Sequence, residues 1–390
     1  MFVSHLSLTD YRNYERADVA LQPGANLFVG SNGQGKTNLV ESLGYLSTLG
    51  SHRVSNDQAL IRQGKDAAII RARLQHGDRQ LLVEVQLNRS GANKAQVNRS
   101  AVKPRELPRY FSSVLFAPED LALVRGEPSG RRRFLDELLV LLSPRFAGII
   151  ADYDRVLRQR NTLLKSARSA GVKGNQLSTL DVWDDRLVDL GSQLIEARTG
   201  LVARLQPEVG IAYESIAGGD HSAELENSLS IFSGGDDDEP GDERGVTGVV
   251  TALEAASAFR TSLERLRRNE LERAVTLVGP HRDDLVLRLN GMPARGYASH
   301  GESWSFALSL KLASVQELRR DSATGDPVLV LDDVFAELDS ARRERLAEAV
   351  GSVEQVLITA AVHDDVPPAL RANTVRIAKG TILEEPPADG

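Results

Sequence analysis

The 390-residue chain contains no cysteine. That removes disulfide scaffolds, thiolate zinc sites, iron–sulfur clusters and cysteine nucleophiles together, and makes a reducing compartment its simplest setting. No apolar run approaches the roughly 18 residues of a membrane span. Met1-Phe2-Val3-Ser4-His5 has neither the basic nor the apolar region of a signal peptide, so the expected location is the cytoplasm. Lysine is scarce, eight of 47 basic residues. Bidentate phosphate recognition would favour such an arginine bias, and a GC-rich genome accounts for it more simply. There is no internal repeat, and the seven histidines show no H-x-x-x-H or similar metal-ligand spacing.

Apolar residues make up 41% and charged residues 26%, the balance of a soluble chain able to bury a core, and the length favours more than one domain. The formal net charge of -7 is unevenly placed. Ser233–Gly245 holds six acids and one arginine, whereas Arg125–Arg168 holds ten basic residues against five acids. The acidic stretch is expected to be a surface loop without fixed structure.

Residues 1 to about 125 read as short strands around one helix, with strands expected at Ala25–Val29, Ala68–Leu74, Gln80–Leu87 and Ser112–Ala117. From there to about 275 the period is helical. Trp183, Leu187, Leu190, Leu194, Ala197, Leu201 and Leu205 form a near-heptad seam, and a helix over Asp181–Gln206 would be roughly 40 Å long. A further helix is expected at Leu253–Val275. Strand signals return at Leu285–Leu289, Val328–Leu331, Gln355–Ile358 and a Val375–Glu385 hairpin. The expected architecture is an α/β lobe built from 1–125 and 276–390, with a helical, short coiled-coil-like arm at 126–275 inserted into it.

Gly30-Ser31-Asn32-Gly33-Gln34-Gly35-Lys36-Thr37 fits G-x-x-x-x-G-K-[ST] between a buried strand and a helix, the setting a phosphate-binding P-loop requires. Its backbone N–H groups and the helix N-terminus would cradle a phosphate. Lys36 would span the β- and γ-phosphate oxygens, and Thr37 would offer a hydroxyl to Mg²⁺. Val328-Leu329-Val330-Leu331-Asp332-Asp333 is a buried strand ending in two carboxylates, a Walker B arrangement. Asp332 would hold Mg²⁺ and Asp333 would orient or deprotonate an attacking water. Lys36 and Asp333 are the expected catalytic pair. Ser299-His300-Gly301-Glu302 precedes a helix, with Glu337-Leu338-Asp339 just after the Walker B strand. An S-x-G-E segment is an ordinary helix cap by itself, and in this order it becomes a second phosphate-binding surface.

The order P-loop, helical insertion, S-x-G-E, Asp332-Asp333 and Leu338-Asp339 resembles the ABC-type ATPase heads of the SMC and DNA-repair group. Within that group the chain is similar to the RecF family. The resemblance rests on Leu8-Thr9-Asp10-Tyr11-Arg12-Asn13-Tyr14, Ser51-His52-Arg53, Phe116-Ala117-Pro118-Glu119-Asp120, Gly126-x-Pro128-x-x-Arg131-Arg132-Arg133-Phe134-Leu135-Asp136 and Gly279-Pro280-His281-Arg282-Asp283-Asp284. It implies an ATP-dependent homodimer in which Ser299, Gly301 and Glu302 of one copy close over ATP held by Lys36 of the other, with Asp339 in the adjoining D-loop. It also implies that Arg12 and Asn13 lie near the nucleotide and that Glu119 is the Q-loop position. The implied partners are double-stranded or gapped DNA and RecR, with RecO and RecA downstream. Arg53, Arg131, Arg132 and Arg133, and the helix face carrying Arg260, Arg267 and Arg268, are candidate phosphate contacts. For the 131–133 run, pairing with Asp136, Glu137 and other local acids is the competing reading. The sequence departs from the pattern in three places: Thr359 and Ala360 stand where related heads carry a switch histidine, with His363 too far along to replace it; Glu127 is an acid where a small residue is usual; and the acidic loop is extra.

The expected function is that of a slow ATPase whose dimerisation clamps DNA during recombinational and gap repair and helps load RecA. Two alternatives stay open on the residues: an ABC-type subunit of another machine, and a scaffold that uses ATP as an interface ligand without hydrolysing it.

Overall fold

The computed structural model describes all residues except 55, 171–177, 220, 234–244, 321, 323–324 and 384–390, and only the backbone at 178–179. Nearly all of the acidic loop expected at Ser233–Gly245 lies outside the described residues. The chain divides into two units, one of Met1–Leu121, Ile211–Asp220 and Ser299–Gly390, the other of Ala122–Gly210 and His221–Ala298.

The first unit is built on two six-stranded sheets. One has the order β2-β1-β4-β5-β6-β7 and is antiparallel, with β1 Phe2–Tyr11, β2 Tyr14–Ala20, β4 Ala67–His76, β5 Arg79–Asn88, β6 Lys94–Val97 and β7 Ser100–Val102. The other has the order β15-β14-β3-β13-β12-β8. Its members are β3 Gly24–Val29, β8 Ser113–Phe116, β12 Val328–Asp332, β13 Gln355–Ala360, β14 Asn373–Ala378 and β15 Thr381–Leu383, parallel except for β15 at one edge. β12 and β13 are buried at every position, which is why they read as continuous apolar runs; the half-exposed β4 and β5 alternate.

Helix α1, Lys36–Thr48, is buried between the two sheets. Leu39, Val40, Leu43 and Leu46 share one core with Leu6, Leu8, Ile70 and Val85 of the antiparallel sheet and with Phe28, Val330 and Leu357 of the parallel one. β8 shows how the parallel sheet serves two layers. Ser113 bonds Ser47 of α1 at 2.8 Å, whereas Phe116 packs edge-on to Trp304 at 5.3 Å. Trp304 belongs to α8, His300–Arg320.

The second unit contains α3 Pro128–Leu142, α4 Phe146–Ser169, most of α5 Ser178–Ala217, α6 Ala252–Arg273 and the short α7 Ala294–Tyr297, following the short α2 Leu121–Arg125. Tyr153 and Val156 of α4, Leu187, Val188 and Ile195 of α5, and Phe259 and Leu263 of α6 form its core. Inside it Arg160 is fully buried, donating to Asp184 at 2.6 Å, Glu270 at 2.6 Å and Thr276 at 2.9 Å. α5 is 40 residues long, roughly 60 Å at 1.5 Å per residue, and passes through Pro207, beyond the expected end at Gln206.

The expected boundary at 275/276 is corrected. Leu285–Leu289 does form a strand, β10 Asp284–Leu289, but it pairs with β9 Ala223–Ser228 and β11 Met292–Pro293 in a three-stranded sheet of the second unit. Backbone pairing with β9, itself part of the insertion, ties residues 276–298 to it, so the insertion is not wholly helical. Among the described residues no helix is long and apolar enough to cross a membrane.

Candidate nucleotide-binding site

β3 delivers Gly30 to the carboxyl edge of the parallel sheet, next to the ends of β13 and β14. A Cβ at Gly30 would run into the Ile377 carbonyl of β14. Gly35 caps α1 at φ +116°, where a Cβ would also meet Asn13 Nδ2 at 2.7 Å and Tyr14 Oη at 2.9 Å, so this position demands glycine on two counts. Inside the arch, Lys36 Nζ donates to the carbonyls of Gly30 at 2.6 Å and Ser31 at 3.3 Å. Burial lowers its pKa, against the pull of the Asp333 and Asp332 carboxylates. From outside, Asn13 Nδ2 donates to Gln34 O at 3.1 Å and Tyr14 Oη to Gly35 O at 3.0 Å. The β14–β15 turn completes the clamp, with Lys379 N on Gln34 Oε1 at 2.5 Å and Gly380 N on Gln34 O at 2.9 Å.

Parallel pairing of β12 with β13, and of β13 with β3, carries Asp332 to the same edge. Thr37 Oγ1 donates to Asp332 Oδ1 at 3.1 Å across 295 residues of sequence. Thr359 of β13 donates to the same oxygen at 2.5 Å and accepts from Asp333 N at 2.9 Å. Burial raises the pKa of Asp332, and the hydroxyls of Thr359 and Thr37 oppose that rise. Asp333 sits at φ +55° with Oδ1 buried and without a hydrogen-bond partner. A strained backbone and an orphaned carboxylate oxygen are costs that a functional site tolerates. Thr359 stands in sequence where related heads carry a histidine, and strand pairing gives it its grip on both aspartates.

Arg12 and Asn13 are the two loop residues of the β1–β2 hairpin, between the paired Tyr11 and Tyr14. Arg12 donates to both oxygens of the buried Glu41, at 2.9 and 2.6 Å, and Ser51 donates to the same carboxylate at 2.5 Å. Arg53 donates to Asn38 at 3.0 Å, and Asn38 to Asn13 at 2.8 Å. Arg12, Asn13, Asn38, Arg53 and Arg89 line an open cavity of about 580 Å³ beside the first turn of α1. Glu41 and Arg89 escaped the sequence reading; Glu41 lies on the helix that follows the P-loop, one turn beyond Thr37, which was the available signal. His52 has a buried Nε2 without a hydrogen-bond partner, and burial lowers its pKa. Glu119 is exposed just past β8.

Ser299 and Glu302 form a reciprocal cap on α8: Ser299 N donates to Glu302 Oε2 at 2.7 Å and Glu302 N to Ser299 Oγ at 3.3 Å. Asp339 caps α9, Ser340–Val350, accepting from Arg342 N at 2.9 Å. His363 lies in a short turn after β13 and contacts Asp364 at 3.4 Å.

Among the arginines expected on DNA, Arg131 is corrected. Its side chain is 5% exposed, and its guanidinium is committed to Asp284 at 2.8 and 2.7 Å and to the carbonyls of Leu123 and Gly126 at 3.2 and 3.0 Å. Four of its five N–H groups are taken, and burial keeps the guanidinium away from a phosphate. The acid it pairs with is Asp284; Asp136 is held by Arg198 at 2.8 Å. Arg132 is half-buried and donates to Asp283 O at 2.7 Å, while Arg133 is exposed and pairs with Glu137 at 2.7 Å. Arg260 and Arg267 pair with Asp185 and Asp181, and the exposed Arg268 with Glu272.

A family profile described as RecF/RecN/SMC N terminal domain matches residues 2–382. A DNA replication and repair protein RecF from Clavibacter sepedonicus is 67% identical over 99% of this chain and 96% of its own length. The chain belongs to the RecF family. The RecF of Leifsonia xyli subsp. xyli is 64% identical, over 98% of this chain and 100% of its own. The solved structure described as the recombination mediator protein RecF-ATP in the RecFOR pathway matches with a TM-score of 0.86 at 25% identity, over 99% of this chain and 98% of that one. An Smc head bound to the winged-helix domain of ScpA matches at TM-score 0.52 and 14% identity, a likeness of fold. The fold is thus the ABC-type ATPase head of the RecF and SMC group, with the RecF insertion.

Proposed function

We propose that the chain binds ATP with Mg²⁺ in the Gly30–Thr37 loop, dimerises around it, and in that state holds double-stranded or gapped DNA during recombinational and replication-gap repair in the cytoplasm. The observation that carries this reading is the 3.1 Å contact from Thr37 to Asp332, which brings a phosphate loop and a buried carboxylate pair to one sheet edge. The ATP named in the description of a RecF relative of the same fold supports it. Lys36, leaving the Gly30 and Ser31 carbonyls, would contact the β- and γ-phosphates. Thr37 and Asp332 supply the hard oxygen donors that suit Mg²⁺, which when bound neutralises phosphate charge. Asp333, whose free oxygen faces no protein donor, would orient the attacking water.

Ser299, Gly301 and Glu302, with Asp339 nearby in sequence to the Walker B strand, would meet the nucleotide of a second copy, so that ATP becomes part of the interface and slow hydrolysis resets it. Arg53, Arg132 and Arg133 would contribute sequence-tolerant, salt-sensitive phosphate contacts. RecR is the proposed partner, with RecO and RecA loading downstream.

Light scattering with Mg²⁺, with and without ATP, tests the reading. Wild type should shift from monomer to dimer, and Asp333→Asn should hold the dimer longer. Lys36→Ala should lose ATP binding and dimerisation; Ser299→Arg should bind ATP as a monomer yet not dimerise. An ATP-bound wild type that stays monomeric would overturn the clamp, and a Ser299→Arg variant that dimerises would overturn the trans arrangement.

A further inference from the structure

Arg342 lies in the first turn of α9, three residues beyond Asp339, and no sequence pattern marks it. Its guanidinium is 3.5 Å from Asp339 Oδ2 and a quarter exposed. The same guanidinium covers the α-carbon of Gly301. A Cβ added there would collide with Nη1 and lie 3.1 Å from Cζ and 3.2 Å from Nη2. One side chain therefore touches the D-loop aspartate and occupies the space that the missing side chain of the signature glycine leaves open.

We propose that Arg342 is the cationic ligand which this surface presents to the terminal phosphate of a nucleoside triphosphate held by a second copy of the chain. The inference rests on the trans role given to Ser299–Glu302 above. An anion set against the Cβ side of Gly301 would meet this guanidinium. Its hold on Asp339 is loose: the distance is long and that carboxylate is 58% exposed, so water and salt weaken the pair. A guanidinium has five N–H donors in a planar fork suited to phosphate oxygens, and its long stem lets it swing from Asp339 to the phosphate. Inside a closed interface, where water is excluded, the arginine–phosphate contact gains strength over the exposed pair it replaces. A side chain at Gly301 would displace the guanidinium from this position, and Asp339 parks the cation over the glycine until the phosphate arrives.

The test uses the full-length chain in three forms: wild type, Arg342→Gln and Arg342→Lys. ATP binding by monomers is followed with a fluorescent ATP analogue, and dimerisation by energy transfer between labelled subunits. Arg342→Gln should bind the nucleotide within about twofold of wild type yet dimerise roughly ten- to a hundredfold more weakly, the scale of a charge-assisted hydrogen bond to an anion. Arg342→Lys should recover part of the loss through its point charge. Mixing then separates trans from cis action. Arg342→Gln subunits hold ATP but lack the cation, and Lys36→Ala subunits lack ATP but keep the cation, so one composite site is intact in the mixed dimer. At a concentration where Arg342→Gln alone stays monomeric, energy transfer should appear with ATP in the mixture and in neither variant alone. Wild-type dimerisation by Arg342→Gln, or a mixture that stays silent, overturns the role of Arg342 while wild type still dimerises. A wild type that fails to dimerise overturns the proposed function itself.

Discussion

Asp283, in the Gly279–Asp284 segment, gives a prediction whose size follows from burial. Its side chain is enclosed in the second unit. Oδ1 accepts from Ser230 N at 2.9 Å and Ser230 Oγ at 2.8 Å, while Oδ2 is buried and unpartnered. Burial pushes its pKa up to about 6 from an ordinary 3.8, in spite of the Ser230 hydrogen bonds and the nearby Arg198 and Arg132. The folded chain therefore holds this proton more tightly than the unfolded one. The associated stability is fully present below pH 4 and is lost as pH rises through 6, about 3 kcal/mol in all at 1.36 kcal/mol per unit. Asp283→Asn removes the titration. Its carbonyl can still accept from Ser230, but its amide N–H groups replace Oδ2 where no acceptor stands, at a cost of roughly 1–3 kcal/mol that does not depend on pH. The stability of the variant relative to wild type should thus rise by about 2 kcal/mol between pH 4.5 and pH 7.5. Hydrogen exchange read by mass spectrometry over 222–232 and 276–289, corrected for intrinsic rates, reports this region without requiring the two units to unfold together. A stability difference that stays constant across that range would refute the argument, because it would mean that Asp283 titrates like a solvated carboxylate.

Two further outcomes are expected. Arg131→Ala should lower stability by about 3–5 kcal/mol, since it strands Asp284 beside a buried void, whereas Arg133→Ala should change it by under about 1 kcal/mol; thermal melts that rank the two equally would contradict the burial difference. Thr359→Val keeps the shape of β13 but removes one bond to Asp332 and one to Asp333 N. Steady-state ATPase activity should fall roughly tenfold or more, the effect of about 1.5 kcal/mol or more in positioning, with nucleotide affinity within a few-fold; unchanged turnover would show that Thr359 does not position the pair.

The P-loop and the Val328–Asp333 strand were legible from the chain alone because each is a local device. Glycines at the turns, a lysine at the helix start and an apolar strand ending in carboxylates carry their meaning within eight residues. The strand at Leu285–Leu289 was equally legible, but its membership was not. Periodicity reports that a segment is half-buried, never which strand it pairs with, and β9 lies about sixty residues away within the insertion. Arginine runs show the same limit. Arg131, Arg132 and Arg133 are consecutive and chemically identical, yet the helical turn points the first into a carboxylate and two carbonyls and the third into solvent. Thr359, Glu41 and Arg342 are ordinary residues by sequence. Their roles arise because parallel strand order, the contact of α1 with the β1–β2 hairpin and the start of α9 set, in turn, a hydroxyl between two aspartates, a carboxylate beneath Arg12, and a guanidinium over Gly301. Local chemistry thus marks the P-loop and the carboxylate-tipped strand; long-range strand pairing and burial, which sum contacts from distant segments, decide how those parts are gripped and which charges remain available.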